Sequence, residues 1–255
     1  MIILINSSKT LDFQQTLRVS EHTIPEFIDD AEFLVGELRA LSEAQISKLM
    51  GVSAQLTKLN VERYQKWKTP FTVSNARPSL LAFKGDVYSG IDVENYSNQE
   101  FNFAQKHLRI LAGLYGILRP LDLIQPYRLE MATKLSTSKG KDLYQFWGTR
   151  INESLKELTK QEKSGILINL CSLEYLKSVR PKLLDAAIIT PVFKEHKDGS
   201  YRTVAVYAKK ARGLMCNYII QNRIKDHKAL KDFNVQGYQF NKKLSGDRQW
   251  VFTRG

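Results

Sequence analysis

Two apolar runs constrain the fold most strongly, because each is followed at once by polar residues. The first covers residues 1–5 and leads into Asn6, and the second, interrupted only by Asn169, covers 165–170 and leads into Cys171 and Ser172. No cationic region precedes the first run and no small-residue cleavage site follows it, so it indicates a buried strand and not a signal peptide. Loops at the carboxyl ends of such strands often carry function in α/β sheets. We therefore expect a buried sheet with functional loops at one edge.

Apolar residues at three- and four-residue steps predict several helices around these strands. The predicted helices open at Pro25, cover 43–50 and 54–67, extend from Asn98 to the 113–116 region, and extend from Asp142 to about Lys160. An Asp198-Gly199 turn between 187–193 and 201–207 is typical of a β-hairpin, and two short strands are expected at 237–240 and 249–252. Segment 118–131 contains two prolines and mixes charges with leucines, which predicts an ordered, irregular and functional loop.

Three cations, Lys209, Lys210 and Arg212, directly follow the second hairpin strand. We expect them in the first turn of a helix, where each positive side chain opposes the helix macrodipole by a few tenths to about 1 kcal/mol. A bound anion would remove this conflict, because backbone N–H groups and cations at one helix start form a phosphate site. Nucleic acid or a nucleotide is the partner this pattern favours, and a solvated basic helix end is the alternative.

The composition favours a polyanionic partner. The chain has 38 Lys and Arg against 26 Asp and Glu, a formal charge of +12, and an isoelectric point near 9.6. Its 255 residues, 43% of them hydrophobic, can bury a substantial core as one large domain or two small ones. No apolar run approaches the roughly 18 to 20 residues that span a bilayer, so we expect a cytoplasmic protein without a membrane partner.

Two short helices joined by Met50-Gly51-Val52-Ser53 have the outline of a helix-hairpin-helix. In that motif a glycine-containing turn directs backbone N–H groups toward a DNA phosphate, and an apolar residue anchors the turn in the core. Gly51 takes the place of the first glycine and Val52 that of the anchor, while Ser53 stands where the second glycine usually lies. Lys48 and Lys58 flank the turn as candidate phosphate contacts. An ordinary αα-hairpin has the same outline.

Metal and cofactor chemistry is not expected. Cys171 and Cys216 are far apart in sequence, and the four histidines lack the spacing of zinc sites. Both cysteines are expected to be buried thiols. A redox-sensing role for Cys171 is the alternative, and it requires a reactive thiol.

The family resemblance rests on several motifs in a fixed order: Lys9-Thr10-Leu11-Asp12, Phe83-Lys84-Gly85-Asp86-Val87-Tyr88, Leu114-Tyr115-Gly116, Leu118-Arg119-Pro120-Leu121-Asp122-Leu123, Pro126-Tyr127-Arg128-Leu129-Glu130-Met131, and Tyr207-Ala208-Lys209-Lys210-Ala211-Arg212-Gly213. With these motifs the chain resembles the YaaA family of bacterial peroxide-stress-resistance proteins nearly end to end. It departs from the family pattern at Asn6-Ser7-Ser8, where Ser-Pro-Ala is common, and at Cys171, where alanine is common.

The resemblance implies one mixed α and β domain over residues 1–255, with a sheet surrounded by helices, a basic cleft and a helix-hairpin-helix at about 43–67. It also implies a cytoplasmic protein that binds duplex or branched DNA and protects the cell during peroxide stress, with a possible link to DNA repair. It makes the loop cations Lys9, Lys84, Arg119 and Arg128 candidates for the basic cleft, beside the cations of the hairpin and of 209–212. Lys177 is one more candidate for a phosphate contact.

Two other functions remain open. Carboxylates near a polyanion site are costly unless they bind a metal, move protons or orient cations. An enzyme acting on a nucleotide or another phosphorylated or acidic small molecule is therefore the alternative, with candidate catalytic residues Lys9, Asp12, Asp86, Asp122, Glu130 and Glu174. A structural network of ion pairs would use the same residues. An iron-handling protein would have only these carboxylates as ligands.

Overall fold

The computed structural model describes residues 1–14, 19, 21–162 and 164–255. The strands are β1 Ile2–Asn6, β2 Thr10–Leu11, β3 Arg77–Pro78, β4 Phe83–Lys84, β5 Leu108–Ala112, β6 Gly116–Leu118, β7 Leu123–Ile124, β8 Ile166–Asn169, β9 Ala187–Lys197, β10 Ser200–Arg202, β11 Gln239–Phe240 and β12 Gln249–Arg254. The α-helices are α1 Ile28–Arg39, α2 Glu43–Met50, α3 Ala54–Lys66, α4 Ser79–Ala82, α5 Asn98–His107, α6 Leu143–Trp147, α7 Arg150–Glu162, α8 Leu173–Leu176 and α9 Ala205–Gln221. Short 3-10 helices cover Tyr88–Gly90, Val93–Asn95, Pro181–Leu183, His227–Asp232, Val235–Gly237 and Lys242–Leu244.

An eight-stranded mixed sheet organises the molecule, which confirms the predicted fold class. Its order is β11-β12-β9-β8-β1-β5-β6, and β10 pairs with β9. The five strands from β12 to β5 are parallel to their neighbours, whereas β6, β10 and β11 pair antiparallel. Residues 1–5 are all buried, as their uninterrupted apolar run predicts, because helices cover both faces of a parallel sheet.

The strand order reverses direction at β1. The chain proceeds from β1 to β5 on one side and later returns to β8 on the other. In open α/β sheets, ligands bind outside the carboxyl ends of the strands at such a reversal. The polar residues that follow β1 and β8 lie at this position.

The helix predicted from Asn98 to the 113–116 region is wrong beyond residue 107. Helix α5 ends at His107, and 108–112 form β5, which pairs in parallel with β1. Ala104, Leu108 and Leu111 fit a helical period, but the run is also apolar enough for a strand buried on both faces. Pairing with β1 decides the outcome.

Other predicted boundaries also differ in the structure, and the helix expected to open at Pro25 begins at Ile28. The helix expected from Asp142 to about Lys160 is divided into α6 and α7 at Gly148, whose φ of 53° no regular helix allows. The second hairpin strand ends at Arg202, and α9 begins at Ala205. The Asp198-Gly199 turn is confirmed, with φ values of 51° and 73° that a tight hairpin requires.

Close contact between α9 and residues 88–90 fixes one side of the sheet's carboxyl edge. A Cβ on Gly213 would lie 1.8 Å from the Val87 carbonyl oxygen, and one on Gly90 would lie 2.5 Å from the Lys210 carbonyl oxygen. Only glycine fits at either position. Within the described residues, no helix is both long and apolar enough to cross a membrane.

Candidate functional site at the carboxyl edge of the sheet

The site is built on four buried hydroxyl side chains, Ser7, Tyr88, Tyr127 and Tyr175, which we call the hydroxyl floor. Ser7 Oγ donates to the Tyr175 hydroxyl at 3.2 Å, and the Tyr88 hydroxyl donates to the Asn6 carbonyl oxygen at 3.1 Å. Burial raises the pKa of all three tyrosines well above its ordinary value. The phenols are therefore neutral near pH 7 and able to donate hydrogen bonds.

The Tyr127 hydroxyl is the exception in the floor. It is buried and has no hydrogen-bond partner within the described chain. The Ser7 hydroxyl lies beside it but is directed to Tyr175. A buried polar group without a partner lowers the stability of the fold by about 1–3 kcal/mol. We therefore expect a ligand or a water molecule to bind this hydroxyl.

Lys9, Arg128 and Glu130 form an ion-pair group at the rim of the floor. Lys9 Nζ lies 2.6 Å from Glu130 Oε2, and Arg128 Nη2 lies 3.4 Å from Glu130 Oε1. The Arg128 Nε is buried without a partner in the described residues. Three predicted site residues thus come together, with the carboxylate orienting two cations.

Gly85 allows the loop after β1 to approach the loop after β4. A Cβ on Gly85 would lie 2.8 Å from Ser8 Oγ, and its φ of 115° excludes other residues without strain. The pairing of Thr10 with Lys84 continues this contact. Asp86 follows and forms an ion pair with Lys209, 3.2 Å from Oδ2 to Nζ. The motif that contains Lys9 and the motif that contains Lys84 and Asp86 are far apart in sequence, yet they meet at the carboxyl edge of the sheet.

The prediction that Lys209, Lys210 and Arg212 lie in the first turn of a helix is wrong. Helix α9 begins at Ala205, so the three cations lie in its second and third turns, beyond the strong part of the macrodipole. Lys209 and Lys210 are exposed, whereas Arg212 is half-buried among core residues of α9. Arg212 has no hydrogen bond or ion pair with any described residue.

The α2–α3 turn presents a different set of groups. Gly51 ends α2 with a φ of 60°, and the Ser53 side chain caps α3 by accepting from the Leu56 N–H at 3.4 Å. The N–H groups of 53–55 have no acceptor within the described residues, and the first turn of α3 contains no acidic residue. Lys48 and Lys58 are exposed and form no ion pair there.

The core anchor predicted at Val52 is not observed. Val52 is half-buried, while Ile46 is the fully buried residue of α2. The turn is held instead by Ser47, whose Oγ donates to the Val52 carbonyl oxygen at 3.2 Å. Helix α3 also connects the turn to the rim, because the Tyr64 hydroxyl donates to the Arg128 carbonyl oxygen.

Arg119 and Asp122 do not join this site. Asp122 is buried and accepts from Thr23 Oγ1 at 2.6 Å and from the Arg119 backbone N–H at 2.7 Å. Burial raises the pKa of its carboxyl. Both residues line a pocket of about 390 Å³ with Arg109. Because Arg109 is the second residue of β5, this pocket lies toward the amino ends of the strands.

The remaining candidates take peripheral positions. Asp12 lines a pocket of about 570 Å³ beside α3, and Lys84 forms an ion pair with Glu94 at 3.7 Å. The Glu174 Oε1 accepts from the Ala132 N–H at 3.1 Å, and Lys177 lies 4.7 Å from the centre of the Tyr144 ring. These contacts hold the carboxylates in separate ion pairs and turns.

The residue types that bind metals and the two thiols have the following arrangement. In residues 1–14, 19, 21–162 and 164–255, no group of three or more His, Cys, Asp or Glu could hold a metal ion. Cys171 and Cys216 are buried, and burial raises the pKa of both thiols, although the charge of Arg212 opposes the shift at Cys171. A redox-sensing Cys171 does not fit a thiol of raised pKa.

Sequence reasoning did not assign a role to Ser7 or Tyr127. Ser7 stands in the motif that departs from the family pattern, and Tyr127 reads as an ordinary core aromatic. The only signal in the sequence for a role of Ser7 is that it is a polar residue placed just after a buried strand. The orphaned Tyr127 hydroxyl becomes visible only when its neighbours are in place.

Comparison with known proteins assigns the chain to a family. The profile of the family described as "Peroxide stress protein YaaA" matches residues 1–244. Three UPF0246 proteins of Burkholderia mallei, from strains SAVP1, NCTC 10229 and NCTC 10247, are each 50% identical over 256 residues, which covers 100% of this chain and 98% of each relative. The family description supports a role in the response to peroxide. The chain belongs to the YaaA family of peroxide stress proteins.

Proposed function

We propose that this protein binds duplex or branched DNA through the phosphate backbone in the cytoplasm and thereby protects DNA, or assists its repair, during peroxide stress. The α2–α3 turn carries this proposal. Its exposed N–H groups at 53–55 lack acceptors, and Lys48 and Lys58 stand on either side without ion-pair partners in the described residues. Backbone N–H groups at a helix start together with unpaired cations are a phosphate site.

The surrounding charge supports a polyanionic partner. The chain carries a formal charge of +12, and the exposed Lys209 and Lys210 add to the basic surface. No base-reading element is required, because phosphate contacts alone supply sequence-independent affinity. The motif then acts as a helix-hairpin-helix in which Ser53 replaces the second glycine and still leaves its own N–H free.

A salt titration of a double variant tests the proposal. Fluorescence anisotropy with a labelled duplex, and in parallel with a forked duplex, gives the slope of log affinity against log salt. Each phosphate contact contributes about 0.9 to that slope, so Lys48→Ala with Lys58→Ala should reduce it by roughly 2 and weaken binding at least about tenfold.

The matched control removes two other exposed lysines. Lys242 and Lys243 form no ion pair in the described residues and belong to a short 3-10 helix near the carboxyl terminus. Lys242→Ala with Lys243→Ala should change the slope far less than the hairpin pair. Equal slopes for the two double variants, or a wild-type protein that fails to bind at low salt, would overturn the proposed function.

A further inference from the structure

Arg212 is a charged side chain whose surroundings offer it no partner. Its guanidinium is half-buried, and it forms no hydrogen bond or ion pair with the described residues. Lys9, Arg128 and Lys209, by contrast, each contact a carboxylate. Burying a cation without compensation is costly, and guanidinium groups suit carboxylate and phosphate groups. An anion absent from the protein itself would complete this position.

The Tyr127 hydroxyl and Arg128 Nε are two further donors without acceptors. Both atoms are buried, and neither has a partner in the described chain. Native proteins leave few buried polar groups unpaired, so two from adjacent residues call for an explanation. Arg212, Tyr127 and Arg128 can all donate, so the missing group is an acceptor.

The place of these donors in the fold agrees with a ligand site. Ser7 follows β1 and Tyr175 follows β8, and their hydroxyls are 3.2 Å apart across the reversal of strand order. The charge of Arg212 acts on Cys171, which also follows β8. Ligands of open α/β sheets bind at this topological position. The strand topology and the donors without acceptors are independent observations, and both indicate a ligand site at the carboxyl edge of the sheet.

We propose that the carboxyl-edge cluster, composed of Arg212, Arg128, Lys9 and the hydroxyl floor, binds the phosphate monoester of a small molecule such as a nucleoside monophosphate. Donors arrive from α9, from the loop containing Tyr127 and from the loop after β1, and a tetrahedral dianion offers acceptors in several directions. A carboxylate offers them in one plane. Glu130 does not oppose the ligand, because Lys9 and Arg128 already hold it.

This site is separate from the hairpin proposed for DNA. Arg212 lies on the inner side of α9, whereas Lys210 on the same helix is exposed. The pair therefore supplies a matched test, since each residue loses one positive charge when changed to glutamine, and only Arg212 is half-buried.

Isothermal titration of the full chain with inorganic phosphate and with adenosine 5′-monophosphate, at constant ionic strength in chloride, measures the site. Saturable binding is expected for the wild type. Arg212→Gln should weaken it about tenfold or more, since a hydrogen bond to a charged group is lost, and Lys210→Gln should change it less than about twofold. Arg212→Lys keeps the positive charge but loses the planar, two-pronged donor geometry of the guanidinium. Its phosphate affinity should therefore fall between those of the two glutamine variants.

Tyr127→Phe tests the floor without removing charge. Phosphate affinity should fall roughly threefold to tenfold, while the unliganded variant should keep most of its stability, because the geometry gives the Tyr127 hydroxyl no hydrogen-bond partner and Ser7 beside it still donates to Tyr175. Equal losses in the two glutamine variants, or no saturable heat with either probe, would overturn the site. The hairpin double variant should bind phosphate normally, so this result is separable from DNA binding.

Discussion

At the α2–α3 turn, Lys48 and Lys58 extend into solvent without carboxylate partners in the described chain, whereas at the carboxyl edge Lys9 and Lys209 each contact a carboxylate. The turn has open backbone N–H groups, and the buried polar side chains beside it, Thr57 and Asn60, donate to backbone carbonyl oxygens at the start of α3. The edge has four buried hydroxyl side chains. Free exposed cations suit a long polyanion that can approach in many ways. Cations held in place around buried hydroxyls suit a ligand of one defined shape.

Glycine substitutions should show how differently the two regions depend on close packing. Gly213→Ala should destabilise the protein by about 3 kcal/mol or more, because its Cβ would lie 1.8 Å from the Val87 carbonyl oxygen and the backbone on both sides must move. Gly36→Ala, at an exposed position of α1, is the control, with no heavy atom within 4 Å of its Cβ. It should be neutral or stabilising by up to about 1 kcal/mol. Urea unfolding of both variants measures the difference.

Gly51→Ala extends the same comparison to the hairpin. No atom lies within 4 Å of its Cβ, so only the left-handed backbone, with a φ of 60°, opposes alanine. That strain costs about 1 kcal/mol. A loss as large as that of Gly213→Ala would show that the hairpin also depends on tight tertiary contact.

The next difference that we expect between the two regions is in the reactivity of their thiols. Cys171 and Cys216 are buried and burial raises the pKa of both thiols, so each pKa unit removes about tenfold of the reactive thiolate near pH 7. A cysteine introduced by Ser53→Cys would be exposed at a helix start, which lowers a thiol pKa. Iodoacetamide should therefore modify that cysteine at least roughly 100-fold faster than the two native ones.

The pH dependence adds a second readout. Between pH 7 and 9 the native thiols should react faster with every pH unit, because their raised pKa values keep them protonated throughout, while the cysteine of Ser53→Cys should approach a plateau. Fast modification of Cys171 in the folded wild type would revive the redox-sensing interpretation.

Much of the carboxyl edge was predictable from the sequence because it follows strands. Residues 2–6 form the predicted strand, and the polar residues after β1 and β8 lie where strand ends place them. The motifs containing Lys9, Lys84 and Glu130 also meet there. A local apolar pattern is sufficient to predict such a strand, because a strand buried on both faces has only one possible environment, the interior of the sheet.

The errors arise where tertiary contacts decide between two local patterns. Residues 108–112 fit both a helical period and a buried strand, and only pairing with β1 selects the strand. Residues 203–207 are rich in strand-forming side chains, yet α9 begins at Ala205 and packs its small residues against 88–90. Asp122 is near Glu130 in sequence but lies toward the opposite edge of the sheet, which spacing along the chain does not reveal.

The smallest expected effect concerns single backbone N–H groups at the hairpin. Ala54→Pro removes one of the free N–H donors and should leave the helix intact, because proline is favoured at the first helical position. Ser53 also already has the extended conformation that a residue before proline requires, with φ −62° and ψ 159°. We expect stability within about 0.5 kcal/mol of wild type and DNA affinity reduced roughly threefold, measured by urea unfolding and anisotropy.

Ser53→Gly is the matched variant, because it keeps every N–H and removes only the capping hydroxyl at a cost of a few tenths of a kcal/mol. DNA affinity should stay within about twofold, since glycine restores the residue usual at this place in a helix-hairpin-helix. If Ala54→Pro binds DNA as well as wild type while Ser53→Gly loses affinity, the serine hydroxyl makes the contact and the backbone does not. Phosphate binding at the carboxyl edge should be unchanged in both variants, because neither substitution changes the contact by which α3 reaches the rim, the Tyr64 hydroxyl that donates to the Arg128 carbonyl oxygen.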